Sequence, residues 1–454
     1  MSTAQSAGSE WWRAESQTAA GDASRALVAA AADATESRLP FWAMMTFTFI
    51  LFIAPQLHFP ALAPFRIALL TAIVAITTYL FDRVTRGQPI IMRTREMWIT
   101  AGLIAWAILT VPFSNWPGES VSFLLDVYFK TLAIFWLLSH TVNTLPRLRL
   151  VVWALTLMTV PTAVTALDNF ISGTFTSDST QGVDRIVGYD APLTGNPNGL
   201  ALTLNLILPL SVALFLIARR TLVRAGLLAV IALDVIAVVV TFSRTGFLTL
   251  ATTFAMYLWK LRKRPEGGWA VAALLIAVVC IPLFSSSYLD RVSTIINKDS
   301  DPTGSAQARW SDMVAAANLV VRNPIVGAGV GTNTLALNEE RGPYWLTVHN
   351  VYLQYAVDLG IPGLLLFILL LVRCINNARF VQQRSARVPA FQDFFYLAEA
   401  IQISLVAFAF AACFHTVAYE LHVYYFAGLA VAAKAVYDSE ERMTALDRTP
   451  SDVH

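Results

Sequence analysis

Apolar runs about as long as a bilayer is thick recur along almost the whole chain. A membrane-spanning helix needs about 20 mostly apolar residues. Runs of that kind lie at roughly 40–55, 60–81, 96–112, 120–140, 148–168, 198–218, 224–242, 245–261, 268–284, 361–377, 395–415 and 421–437. Charged residues make up only 14% of the 454, against about 25% in soluble domains. A large soluble core is thereby excluded. The expected fold is all-α and polytopic, with about twelve transmembrane helices. The first run is short and broken by Pro55, which suits a tilted or re-entrant pair with the second.

The runs divide the chain. Residues 1–38 read as a flexible cytoplasmic tail without the apolar core of a signal peptide, and Trp11 and Trp12 are its candidate membrane contacts. Residues 39–284 hold nine runs, 285–360 form the longest gap, 361–437 hold three more, and 438–454 are a second tail. Lys and Arg crowd alternate connections: Arg83 to Arg95, Arg147 and Arg149, Arg219 to Arg224, Lys260 to Arg264, and Arg373 to Arg387. The positive-inside rule puts those loops and both termini in the cytoplasm. The opposite face then carries the loop 169–198, the turn at Ser243-Arg244, the segment 285–360 and the turn from His415 to His422. In a bacterium that face is periplasmic. It lacks soluble nucleotide-sugars and ATP, so an enzyme there needs a pre-activated, lipid-linked substrate.

Several polar residues on this face are candidates for chemistry. Arg244, in TFSRTG between two runs, is either a snorkelling helix-end arginine or an anion clamp whose planar fork matches phosphate. Arg309 lies in a helical pattern with Ser305 as N-cap and Asn323-Pro324 as stop. It shares a face with Asp312, and a surface ion pair is the plain alternative. Gly327, Gly329 and Gly331 form either a flexible turn or a backbone nest for phosphate. His349 sits in an aromatic, apolar, helical window, where a lone histidine is most often structural. His415, Glu420 and His422 form either a metal site or a polar cluster at the membrane surface. The D-x-D triplet at 299–301 reads as a turn. Asp126 and Lys130, four apart, neutralise each other. Asp234, buried in a run, is functional or satisfied by one interhelical hydrogen bond. Cys280, Cys374 and Cys413 show no metal spacing and read as small apolar residues. The formal charge of +2 gives no reason to expect nucleic acid.

Three pieces together resemble a known family: GNPNGLALTL at 195–204, FSRTG at 242–246, and the arginine helix leading through NPIVGAGVGTN to VHNVYLQYAVDLGIPGLLLF. Over roughly 180–375 the chain resembles the O-antigen ligase/polymerase superfamily. That resemblance implies a GT-C-type fold with a large outer loop over a central cavity. It implies inverting, metal-independent transfer of a glycan from undecaprenyl diphosphate to lipid A–core, with membrane lipids around it and no cofactor. It carries catalytic roles onto Arg244, Arg309 and His349. Arg185, Asn196, Asn198 and Asn350 fall in or beside the same motifs and are expected on the diphosphate or glycan. Ligation to lipopolysaccharide leads the readings. A polymerase of the superfamily comes next, then a ligase for protein or exopolysaccharide. A transporter is a separate class, and the chain lacks the repeated halves that class shows.

Overall fold

The computed structural model describes residues 38–178, 183–262, 305–342 and 347–446. The run at 268–284, the D-x-D triplet, Cys280 and both tryptophans of the tail lie outside them. Among the described residues the chain is helical apart from one hairpin. The helices are α1 (Leu39–Ile53), α2 (Ile67–Thr85), α3 (Arg95–Thr110), α4 (Pro117–Thr141) and α5 (Leu145–Ile171). The hairpin follows, β1 (Phe175–Asp178) against β2 (Val183–Ile186), antiparallel with Thr176 opposite Arg185. Then come α6 (Pro197–Ile217), α7 (Thr221–Val240), α8 (Arg244–Leu261), α9 (Ser305–Arg322), α10 (Asn333–Arg341), α11 (Val351–Ser385), α12 (Gln392–Ala411) and α13 (Leu421–Leu446).

Eight of the described helices are long and apolar enough to cross a membrane. The helix α1 is shorter, and α8 and α13 are more polar than those eight. The sequence reading of a polytopic helical membrane protein is therefore met. Helix α6 is the central post, packed on α5, α7, α8 and α12. Helix α11 joins it through α12 and is flanked by α3 and α13. Asp126 and Lys130 do pair, 3.5 Å apart on the exposed side of α4. Asp234 is buried, and Thr159 Oγ1 of α5 donates to its Oδ2 at 3.1 Å. The interhelical hydrogen bond, one of the two readings open for Asp234, is present.

The end of the bundle near Lys260 is fastened by a buried polar group. Lys260 Nζ of α8 donates to Gln382 Oε1 of α11 at 2.7 Å and Gln402 Oε1 of α12 at 2.5 Å. Glu399 lies 3.8 Å from Lys260 and accepts from Gln382 Nε2 at 2.7 Å. Both charged side chains are almost wholly buried. Losing one member of such a pair strands the other charge. Lys260→Met is expected to destabilise the fold by about 3–5 kcal/mol, read as a lower melting temperature in detergent. The double variant Lys260→Met/Glu399→Gln should recover much of that loss. A Lys260→Met protein with the parental melting temperature would show that the charges do not hold these helices.

The kink in α11 organises the opposite end. Gly360 has φ 68° and ψ −175°, inside a helix that otherwise runs from Val351 to Ser385. With Ile361 turned away and Pro362 lacking an N–H, the carbonyls of Val357 and Asp358 have no helical donors. Ala328 N–H donates to Val357 O at 2.7 Å and Gly329 N–H to Asp358 O at 3.1 Å. Trp106 Nε1 donates to Leu359 O at 2.8 Å, and Ile361 N–H finds Pro324 O at 2.8 Å. Loop 323–333 is thus the missing half of the helix break. Its glycines form neither the flexible turn nor the phosphate nest considered from sequence. A side chain at Gly331 would meet the Phe123 ring at 2.1 Å, so that glycine is there for close packing.

Candidate active site

A cavity of about 490 Å³ opens at the kinked end of the bundle. It is lined from distant parts of the chain: Ile186 and Val187 after the hairpin, residues 192–193 and 195–199, Arg309, His349, residues 414–417, and Glu420. Of the residues singled out from sequence, Arg309, His349, Asn196 and Asn198 are brought together here. Arg244, Asn350 and Arg185 are not among the lining residues.

Local rules explain the walls. Asn196 is extended and its side chain accepts from Gly199 N–H at 2.8 Å, capping α6. Pro197 at the first turn needs no N–H partner. Asn198 Oδ1 accepts from Ser243 Oγ at 2.7 Å. Ser243 in turn caps α8, accepting from Gly246 N–H at 3.1 Å. The motifs GNPNG and FSRTG, separated in sequence, are therefore one structural unit. Between α7 and α8 the chain reverses through Phe242 at φ 51°, a strained conformation for an aromatic residue. That reversal sets half-buried Arg244 at the first position of α8. Asn350 also serves as a cap, its side chain accepting from Leu353 N–H at 3.0 Å to start α11. The helices α6, α8, α11 and α13 all begin at this end, and helix N-termini favour anions.

Arg309 projects from α9, whose N-cap position lies outside the described residues. The carboxylate of Asp312 is buried and pairs with Arg341 of α10, so it is not the surface residue that the sequence spacing suggested. Helix α10 folds back on α9 and supplies that guanidinium, while Arg322 grips Glu340 through two contacts of 2.8 and 3.1 Å. Arg185 lies in β2, next to cavity-lining Ile186, and its side chain lies outside the description.

Electrostatics distinguish the two histidines. The His349 pKa is lowered to about 4, chiefly by burial and then by the Arg309 guanidinium. It is a neutral imidazole at neutral pH. His415 is lowered to about 3, again first by burial, then by His422, Arg309 and His349. His415, Glu420 and His422, read from sequence as a metal site or a surface cluster, instead contribute two members to the cavity wall. Among the described residues no group of three or more His, Cys, Asp or Glu is placed to hold a metal. Their shared wall was missed because one turn reveals nothing of what packs opposite it. The one available signal was an aromatic, a histidine and an acid crowded into a short link between apolar runs.

A neutral imidazole beside a guanidinium, ringed by helix N-termini, can take a proton from a hydroxyl while holding an anionic leaving group. No curated protein matches the chain in sequence. Residues 227–368, which include Arg244, Arg309, His349 and the kinked start of α11, match the family described as O-Antigen ligase. Over that segment, about a third of its length, the chain resembles the O-antigen ligase/polymerase superfamily of membrane glycosyltransferase-like enzymes.

Proposed function

We propose that the protein is an O-antigen ligase, moving a finished glycan from undecaprenyl diphosphate to a sugar of lipid A–core. The observation that carries this reading is the meeting of Arg309 and His349 on one cavity at the end of a membrane bundle. The acceptor hydroxyl gives its proton to neutral His349 as its oxygen attacks the anomeric carbon. The bond from that carbon to the diphosphate oxygen breaks, and the lipid diphosphate leaves from the opposite side, inverting the centre. Arg309, together with Arg244 at the start of α8 and Arg185 in β2, neutralises the charge gathering on the diphosphate. This is the charge a metal provides in other transferases, so EDTA is expected to leave activity intact. Asn196 and Asn198 keep the N-terminus of α6 aimed at the same anion. Asn350 acts at one remove, fixing the start of α11 beside His349.

The basic loops support the orientation. Under the positive-inside rule they favour a cytoplasmic position for the opposite end of the bundle, which gives a cavity facing the periplasm of a bacterial inner membrane in a proposed twelve-span, GT-C-type architecture. The superfamily also includes polymerases, for which the same walls would serve with a different acceptor. A deletion strain separates them. Lipopolysaccharide without O-chains, alongside accumulated lipid-linked O-chains, is the expected result. Single repeats still attached to the core would indicate a polymerase, and long chains still reaching the core would sink the ligase reading.

A further inference from the structure

The cavity has two unlike walls. One holds Arg309 and the start of α6, both suited to an anion. The other is the turn after α12, which contributes Phe414, His415, Thr416 and Glu420. Glu420 is the one carboxylate among the described lining residues. Glu420 Oε2 lies 3.3 Å from His422 Nδ1, and His422 Nε2 lies 2.9 Å from Thr203 Oγ1 of α6. His415 is only 5% exposed, and its Nε2 has no hydrogen-bond partner among the described residues. Phe414 presents 38% of its surface beside them.

A carboxylate repels a diphosphate and competes with it for arginine, so this wall does not suit the charged part of the donor. A carboxylate acceptor, an unpaired buried imidazole nitrogen and an open aromatic ring suit a neutral polyhydroxyl ring, polar at its edge and apolar on its face. We propose that the turn from Phe414 to Glu420 is the acceptor-sugar subsite. In it Glu420 accepts hydrogen bonds from ring hydroxyls, His415 Nε2 meets a further polar group, and Phe414 covers the apolar face. The assignment rests on the glycosyl-transfer reading above. A carboxylate beside a helix start is also favoured by the helix dipole, but that role gives no dependence on acceptor.

The test uses the full chain in lipid nanodiscs with lipid-linked O-chain as donor and lipid A–core as acceptor. Glu420→Gln keeps the shape and removes the charge. It is expected to raise the acceptor KM about tenfold, with the donor KM and melting temperature unchanged. Phe414→Ala is a second, independent variant and should give the same split. A donor KM that rises with the acceptor KM, or unchanged kinetics in both variants, would overturn the subsite. If the parent protein lengthens lipid-linked glycan instead of loading lipid A–core, the ligase reading fails. The second lipid-linked glycan is then the acceptor, and the same KM split against it decides the subsite. Inactivity of the parent in both assays would overturn both proposals.

Discussion

Replacing His349 with alanine is expected to slow transfer by about 10²–10⁴-fold, the usual contribution of a positioned general base, with donor binding little changed. A variant with activity near that of the parent would remove the base role. The pH profile offers a second readout with a definite sign. In the free protein the His349 pKa is held at about 4, by burial first and Arg309 second. The active form is the neutral one, so kcat/KM should stay level from neutral pH downward and fall as pH passes about 4. A diphosphate resting on Arg309 cancels part of that repulsion, so His349 becomes more basic in the complex. The acid limb of kcat should therefore lie at higher pH than that of kcat/KM. Stability follows the same linkage. Between about 4 and the ordinary value of 6.5 the unfolded histidine holds more proton than the folded one. Stability contributed by neutral His349 is present above that window and declines as pH falls through it.

What sequence could tell differs by scale. The polytopic, helical character was legible because an uncharged run of bilayer length has few alternatives in water. Arg309 and His349 were legible only through resemblance, since nothing in a separation of 40 residues says that two side chains share a cavity. Asn196 and Asn350 stood out in motifs as candidate ligand contacts, and their side-chain oxygens also serve as helix caps, on the amides of Gly199 and Leu353. A helix cap and a ligand-binding asparagine look alike until the backbone is seen. The glycine loop misled for the opposite reason. Its partner is a broken helix far along the chain, and unsatisfied carbonyls leave no trace in composition. Arg341 reaches Asp312 because α10 turns back onto α9, a tertiary event that spacing along α9 does not reveal.

Gly360→Ala tests that broken helix directly, and its expected cost is large. A Cβ there would sit 2.1 Å from Ile325 O and 2.9 Å from Pro324 O, both backbone atoms. The backbone at φ 68° and ψ −175° belongs to a region occupied almost only by glycine, which costs another residue about 1–3 kcal/mol. Relief by straightening α11 does not help, because Pro362 cannot donate to Asp358 O. Relief by lifting the loop removes the Ala328 and Gly329 donors, and each buried carbonyl left bare costs about 1–3 kcal/mol more. The total is about 3–9 kcal/mol, enough to lower the melting temperature in detergent strongly. Activity should fall further than stability alone predicts. Helix α9 ends at Arg322, and Pro324 two residues later accepts from Ile361 N–H. The loop therefore fixes the end of the helix that carries Arg309, while the residue just before α11 is the cap beside His349. One glycine sets the relation between the two. Ala328→Pro, which deletes the N–H bound to Val357 O without adding a side chain at the kink, should lower activity in the same way. Parental stability in Gly360→Ala would mean that the kink is not held by this loop.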